Sequence, residues 1–319
     1  MLKRKLTILL FFICFANNFA NSTNNIVFIK AEFLNKNTVR IPFKLIDHLI
    51  IVEANVLNQI GNFIIDTGSE TLILNKIHFP SKYNHNVKNN ETTGILSYID
   101  NPIEKRLKSF NLQHFILKNK NSDIIDLSHI EKSKKMKLLG IIGYSILKDY
   151  EIFIDLYLNQ ITLTKVDKYG NRLDPKVHVE KIVDSLNFKL KKHTIVINGT
   201  INNQKLKLGL DTAAEFNQIN KSVNKKTLKH FVPKKRINLS GASDKRIEVI
   251  VGDLYRLKLS ETIYLGPMKT MLTNLTRMYE VFGTQLDGVL GYEFFKYKRT
   301  IINYRKEKLY FINYPIIRK

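Results

Sequence analysis

The chain has 319 residues, of which 44% are hydrophobic and 25% charged, a composition typical of a globular protein and not of a disordered one. Its length exceeds that of most single domains, so we expect two domains of about 150 residues each. Lys and Arg outnumber Asp and Glu by 51 to 28, but the basic residues are spread along the whole chain, which favours an ordinary solvated surface over a nucleic-acid site. A basic envelope protein that holds polyanions stays open as an alternative, since it would only require the Lys side chains to gather on one face.

The first twenty residues have the organisation of a signal peptide. Three basic residues at positions 3–5 precede an apolar run from Leu6 to Ala16, and small and polar residues follow up to Ala20. The apolar run is too short to span a bilayer, which takes about 20 residues. We therefore predict removal of residues 1–20, export to the periplasm or the outside, and no stable membrane anchor afterwards. The only cysteine, Cys14, would be lost with this segment, so the exported protein would have no disulfide.

An internal repeat becomes visible near residue 60. The stretch Val56 to Thr67 aligns with Ile201 to Thr212 without a gap, and an Asn, a Gln, an Asp and a Thr recur in register. A second block follows in each copy, because Leu138 to Tyr144 aligns with Leu286 to Tyr292. Two blocks that keep their order and nearly their spacing are hard to obtain by chance. The repeat therefore predicts an internal duplication.

The duplication divides the chain into residues 21–170 and residues 171–319. The segment from Asp167 to Pro175, rich in turn-forming residues, is the predicted linker between them. Both copies contain short β-branched segments bounded by Asn or Gly, which predicts an all-β fold of two homologous lobes with few short helices. Helical turns are expected after the glycines at positions 143 and 291. The predicted strands are Leu49 to Val56, Asn62 to Ile65, Ile152 to Leu156 and Ile161 to Thr164 in the first copy, and Thr194 to Asn198, Lys205 to Leu210, Thr300 to Asn303 and Lys308 to Ile312 in the second.

In each copy an apolar strand ends in Asp-Thr, at Asp66-Thr67 and at Asp211-Thr212. An ionised Asp behind an apolar strand is costly unless it has hydrogen-bond donors or a partner with which it shares charge. Two such groups related by the duplication can meet between the lobes, where one shared proton leaves a general base and a general acid. Such a pair can hydrolyse an amide through an activated water, and we expect neither a metal nor another cofactor. The other interpretation of a lone Asp-Thr-Gly is an ordinary turn capped by the Asp side chain.

This combination resembles the pepsin-like and retropepsin-like aspartic peptidases, whose signature is an apolar stretch followed by Asp-Thr-Gly or Asp-Ser-Gly and later by an apolar-apolar-Gly block. The resemblance covers nearly the whole chain after residue 20. It implies two β-barrel lobes and catalytic roles for Asp66 and Asp211. It also implies that the later blocks thread beside the Asp loops, that the hydroxyls of Thr67 and Thr212 cross-link the loops, and that Gly68 lets backbone amides approach the carboxylate.

The second copy departs from the family pattern. Ala213 stands where the family has glycine, and its Cβ could push the second loop away from the first. Ala214 has no hydroxyl, whereas Ser69 keeps one at the matching position of the first copy. We therefore expect Asp211 to have fewer hydrogen-bond donors than Asp66.

Family members close a β-hairpin over the substrate, and glycines mark two candidate hairpin tips. Gly94 lies 28 residues after Asp66, and Gly241 lies 30 residues after Asp211. Glycine at a hairpin tip is also common without any such role, so both interpretations stay open.

The sequence therefore predicts a monomeric aspartic endopeptidase whose partner is a peptide or protein substrate, and no nucleic acid. An extended peptide would bind between the lobes. The alternative is a catalytically silent peptide-binding protein of the same fold, which Ala213 favours weakly and the two retained aspartates disfavour. The eight histidines are scattered, and we interpret each as a surface or core residue and not as a ligand.

Overall fold

A computed structural model of the protein describes residues 26–80, 103–177, 180–240, 246–275 and 283–314. These residues form mainly β-strands with four short helices, which confirms the predicted all-β class. No helix within these ranges is long and apolar enough to cross a membrane. The predicted signal peptide lies outside the described ranges. Two-residue strands also occur before or between them, at Leu6–Thr7, Ile13–Cys14, Asn86–Val87, Thr92–Thr93 and Tyr98–Ile99.

The first half of the chain forms a sheet that curls back on itself. Its elements are β1 (Glu32–Asn35), β2 (Thr38–Pro42), β3 (Lys44–Ile46), β4 (Leu49–Val56), β5 (Gln59–Ile65), β6 (Leu72–Asn75), β7 (Ile103–Leu112), β8 (Phe115–Ile125), α1 (Ser128–Lys134), β9 (Leu138–Ile142), α2 (Tyr144–Leu147), β10 (Tyr150–Asp155) and β11 (Gln160–Lys165). The sheet runs in the order β3-β4-β5-β9-β6-β8-β7, and β7 returns to pair with β4. Strand β4 carries the sequence Leu-Ile-Ile-Val at its start, and these four side chains are all buried, as expected for a β-branched core strand.

The second half repeats the central strand order of the first sheet, since Thr194–Ile201, Gln204–Leu210, Gly288–Leu290 and Asn217–Asn220 stand in the order of β4, β5, β9 and β6. Its sheet runs β17-β18-β21-β16-β22-β15-β14-β19-β20, with β13 paired to β14. The elements are β12 (Ile182–Asn187), β13 (Lys189–Lys191), β14 (Thr194–Ile201), β15 (Gln204–Leu210), β16 (Asn217–Asn220), α3 (Lys225–Leu228), β17 (Phe231–Ser240), β18 (Arg246–Leu254), β19 (Leu257–Lys258), β20 (Tyr264–Leu265), β21 (Met268–Thr273), β22 (Gly288–Leu290), α4 (Tyr292–Tyr297), β23 (Arg299–Asn303) and β24 (Lys308–Ile312).

The two halves share a third sheet, of order β12-β24-β23-β10-β11-β2-β1. Strand β10 of the first half pairs antiparallel with β23 of the second. Buried Arg299 adds an ion pair across this junction to Asp155 of the first half, and it also pairs with Glu180. The largest apolar core cluster likewise holds residues of both halves. The two lobes are therefore joined by a continuous sheet and a common core.

Every strand predicted from the repeat is present, with ends that differ from the prediction by no more than three residues. The helical turns expected after the two glycines are α2 and α4. The proposed boundary at residue 170 lies in a turn of the connecting segment, where the N–H of Gly170 donates to the carbonyl of Asp167 (3.0 Å). Gly170 has a φ of +80°, a left-handed conformation that favours glycine.

Candidate active site

The two Asp-Thr loops occupy matching places in the two lobes. Asp66 follows β5 and Asp211 follows β15, each at the end of a strand that is buried over its last residues. The N–H of Asp66 donates to the carbonyl of Ile142 in β9 (3.0 Å), and the N–H of Asp211 donates to that of Leu290 in β22 (2.9 Å). The later block of each repeat therefore holds the backbone of its own aspartate.

Strand β9 lies between β5, to which it is parallel, and β6, to which it is antiparallel. Strand β22 has the same two neighbours in the second lobe, β15 and β16. The glycine that follows each of these two strands contacts the Asp loop directly. A Cβ at Gly143 would lie 2.6 Å from the carbonyl oxygen of Ser69, and one at Gly291 would lie 2.2 Å from that of Ala214. These distances are far too short for a carbon atom, so only glycine fits at either place.

The threonines of the two loops cross-link the lobes. The N–H of Thr67 donates to Oγ1 of Thr212 (3.1 Å), and the N–H of Thr212 donates to Oγ1 of Thr67 (3.0 Å). Each hydroxyl in turn reaches a carbonyl of the other lobe, from Thr212 to Ile65 (2.8 Å) and from Thr67 to Leu210 (3.4 Å). All these groups are buried, so each bond satisfies a polar group that would otherwise be costly. The structure thus brings together the two loops that the sequence singled out.

Backbone amides hold both carboxylates. Oδ1 of Asp66 accepts from the N–H groups of Gly68 (2.8 Å) and Ser69 (3.1 Å), and Oδ1 of Asp211 accepts from Ala213 (2.7 Å). The N–H of Ala214 donates to the backbone carbonyl of Asp211 (3.3 Å) and is close enough to its carboxylate to lower the pKa. Asp211 therefore has fewer donors of good geometry, but the reason given from the sequence is wrong. The hydroxyl of Ser69 donates to the carbonyl of Thr71 (3.3 Å) and not to the carboxylate, so the missing hydroxyl at the matching alanine removes no donor.

Ala213 does not separate the loops, because the threonine cross-link next to it is complete. Its backbone does not adopt a positive φ, so glycine is not required for conformational reasons. Its methyl group belongs to an apolar cluster of first-lobe residues that includes Leu49, Ile64 and Ile141. The Cβ that the sequence suggested as an obstacle instead adds a contact between the lobes.

Both carboxyl groups are buried, at 1% exposure each, and burial raises the pKa of both. The charge of Asp66 raises the pKa of Asp211 further, whereas the amide donors and the contact with Asp211 oppose the effect of burial at Asp66. Oδ2 of Asp211 makes no hydrogen bond of good geometry within the described chain, although its carboxyl lies close enough to Asp66 to interact with it. Burial raises the pKa of Asp66 to about 7 and holds that of Asp211 well above its usual range, so the pair loses its first proton near pH 7 and keeps the second to higher pH.

Sequence reasoning missed a second set of residues at these loops. His48 and His193 each contact the Asp loop of the opposite lobe, and Lys134 of α1 forms a buried ion pair with Glu215 (2.7 Å). The signal was present in the repeat, since the interval of 145 residues that separates Thr67 from Thr212 also separates the two histidines. The aligned block begins at Val56, eight residues after His48, and therefore does not include the two histidines.

The two predicted hairpin tips, Gly94 and Gly241, lie outside the described residues. Strands β17 and β18 pair antiparallel up to Ser240 and Arg246. Both hairpin-tip assignments stay predictions.

A comparison of the chain with models of protein families and with functionally characterised proteins gives no match.

Proposed function

We propose that the protein is an aspartic endopeptidase, which hydrolyses peptide bonds with a water molecule activated between Asp66 and Asp211. The observation that carries the proposal is the reciprocal hydrogen bonding of Thr67 and Thr212, which holds two buried aspartates of different lobes together. A fold has no structural need for two buried carboxyl groups at one junction, because their desolvation is costly. Buried carboxyl groups with raised pKa values are typical of active sites.

The unequal surroundings of the pair assign the two roles. Asp66, with two amide donors, is the charged member and takes a proton from the attacking water. Asp211, whose pKa is raised further, donates its proton to the carbonyl oxygen of the substrate as the tetrahedral intermediate forms. When the intermediate collapses, Asp66 passes its proton to the leaving nitrogen and a hydroxyl of the gem-diol returns a proton to Asp211, so the pair regains its starting state. Neither step needs a covalent enzyme intermediate.

Substrate entry requires movement, because both carboxyl groups are almost fully buried. By resemblance to the family, the hairpins predicted around Gly94 and Gly241 would open to admit an extended peptide. We also propose, from the sequence, that the protein acts as a monomer after export from the cytoplasm.

A silent peptide-binding protein is the second candidate. The observation in its favour is the weaker hold on Asp211, whose carboxylate has one amide donor at Ala213 where Asp66 has two. Such a protein would bind peptides in the same cleft without cutting them.

Digestion of a mixed peptide library by the purified exported protein, with and without a statine-type transition-state mimic, tests the proposal. We expect cleavage that the mimic abolishes, because its hydroxyl replaces the water between the carboxyl groups. Cleavage that is insensitive to the mimic would reject the aspartic mechanism. Tight binding of the mimic without cleavage of any peptide would favour the silent binding protein.

A further inference from the structure

Two histidines related by the duplication reach across the lobe junction. His48 lies in the turn before β4 and His193 in the turn before β14, at matching positions of the two lobes. Nε2 of His193 lies 3.0 Å from the carbonyl oxygen of Gly68, in the Asp66 loop. Nδ1 of His48 lies 3.1 Å from the carbonyl oxygen of Glu215, in the Asp211 loop. Each loop is therefore held by a histidine of the opposite lobe.

The carbonyl contacts fix the tautomers. A carbonyl oxygen can only accept a hydrogen bond, so the proton lies on Nε2 in His193 and on Nδ1 in His48. His193 is buried, at 1% exposure, and burial lowers its pKa to about 4. Charged groups near its ring are Lys192, which also lowers the pKa, and Glu70, whose Oε2 lies 3.9 Å from Nδ1, beyond hydrogen-bond range. His193 is thus a neutral donor above about pH 4.

The contact of His193 continues directly to the aspartate. The Gly68 carbonyl and the Ser69 N–H belong to one planar peptide group, and this N–H donates to Oδ1 of Asp66 (3.1 Å). Fixing the oxygen of the group fixes the direction of its N–H. Donation to the oxygen also polarises the peptide group, which strengthens the bond that its N–H makes. His193 therefore orients and strengthens a donor to the charged carboxylate.

His48 is held in place by its neighbours, but the peptide group that it contacts does not donate to Asp211. Its ring stacks on Tyr292 at 4.1 Å, and the N–H of Tyr292 donates to the carbonyl of Ala214 (2.8 Å). The carboxylate of Glu215 pairs with buried Lys134. The peptide group that His48 contacts carries the N–H of Phe216, which is not a donor to Asp211. The charged groups near this ring are Glu293, Lys269 and Asp47.

We propose that His193 is a positioning residue, which holds the Gly68–Ser69 peptide group so that Asp66 remains the charged member of the pair, while His48 anchors the end of the Asp211 loop. The inference rests on the proposed function for its catalytic meaning, but the contact and its effect on Asp66 can be measured without catalysis.

The test compares His193→Leu, which removes the donor, with His193→Gln, whose side-chain amide can place an N–H where Nε2 lies. Carboxyl ¹³C NMR of Asp66 and Asp211 gives the titration of the pair. The pKa of the neighbouring Tyr304 is raised by burial, by Tyr144 and by both carboxylates, so this side chain stays neutral while the pair titrates. In His193→Leu we expect the lower titration midpoint to rise by about one pH unit, because a donor to the ionised form is weakened. In His193→Gln it should return to the wild-type value.

Kinetics of peptide cleavage give the second readout. We expect His193→Leu to lower kcat by about 10- to 100-fold with little change in KM, and to move the acid limb of the pH profile upward, since misplacement of one reacting group costs this much. His193→Gln should stay within about threefold of the wild type. His114→Leu, at an exposed histidine that contacts Phe33, is the control and should change neither readout. If His193→Leu does not fold, His193→Asn, whose shorter side chain cannot reach the Gly68 carbonyl, takes its place.

An unchanged titration in His193→Leu would overturn the proposal, as would a His193→Gln variant that folds normally yet is as impaired as His193→Leu. Failure of the proposed function has a different signature. In that case the wild type cleaves no peptide, while the NMR titration still decides whether His193 affects the pKa of Asp66.

Discussion

Asp66 and Asp211 come from a duplicated motif, yet the two carboxyl groups are not equivalent. Two amide groups donate to the Asp66 carboxylate and one donates with good geometry to that of Asp211, and both side chains are withdrawn from water. A buried carboxylate with more donors keeps its charge more easily. In the proposed mechanism, this difference between two copies of a loop separates the base from the acid.

This burial predicts a stability effect that depends on pH. A carboxyl group whose pKa is raised by folding stabilises the folded state below its ordinary pKa and loses that contribution as the pH rises through the folded-state value. Asp66→Asn and Asp211→Asn remove the ionisation, so each should melt at a higher temperature than the wild type at pH 8, by the equivalent of at least about 1 kcal/mol. The gain should vanish at pH 4. Thermal melts across this range measure it.

Glu261→Gln is the matched control, because Glu261 is exposed and pairs only with Lys258 at the surface. It should show no gain at pH 8. A wild type whose stability relative to Asp66→Asn does not fall between pH 4 and pH 8 would contradict the raised pKa of the pair.

The residues of the site were predictable where the repeat made them visible. Asp66, Thr67 and their partners stand in an ungapped match, and the cross-link lies where the resemblance placed it. The effect of Ser69 was not predictable, because the direction of a hydroxyl depends on the local turn. His193 was missed for another reason: it follows His48 by the repeat interval of 145 residues, but both histidines lie before the aligned block. The interval alone would not have shown what either ring contacts.

Strands β9 and β22 hold the backbone of the two Asp loops. Each is inserted between two strands of its own lobe and is followed by a glycine that packs against the Asp loop. The apolar-apolar-Gly blocks could be predicted as repeated units, since their sequences match. Their insertion could not be, because the pairing joins segments some 70 residues apart and leaves no local signal in the sequence.

Gly291→Ala should disturb the Asp211 loop without touching any carboxylate. Its Cβ would lie 2.2 Å from the carbonyl oxygen of Ala214 and 2.5 Å from the Cβ of the same residue, so the loop must shift. We expect a loss of about 1 to 3 kcal/mol in the free energy of unfolding, together with loss of peptide cleavage. Denaturant unfolding and the library assay measure the two effects.

Gly199→Ala is the control for this prediction. It lies in β14 of the same lobe, and its Cβ would meet only side-chain ends of Leu259, Leu257 and Leu208, at 3.0 to 3.2 Å. These leucines can adjust, so cleavage should be retained. If Gly291→Ala were as stable and active as Gly199→Ala, the close packing behind the loop would not be needed.

The molecule as a whole is two lobes that cannot be separated without breaking a sheet. Pairing of β10 with β23 and the buried ion pair of Arg299 with Asp155 keep the lobes, and with them the two aspartates, in register. The duplication predicted two lobes but not this shared sheet, because each copy supplies only some of its strands. The linker composition gave the turn around Gly170 but not the sheet on either side of it.

The chain that reaches its working compartment should be shorter than the one encoded. The order of basic, apolar and small residues at its start predicts cleavage after Ala20, so the exported protein should begin near Asn21. N-terminal sequencing of protein recovered outside the cytoplasm checks this. Recovery of that protein with an intact Met1 would contradict it.

The rate of peptide cleavage by Asp66→Asn and Asp211→Asn tests most directly whether the two aspartates activate a water molecule. Each substitution removes the shared proton and the matched base and acid, so both variants should lose at least about 10³-fold in kcat while they fold and still bind peptide. Purified wild type and variants are compared on the same peptide, with Glu261→Gln as the control that keeps full activity. Undiminished cleavage by either Asp variant would show that the two aspartates do not activate the water.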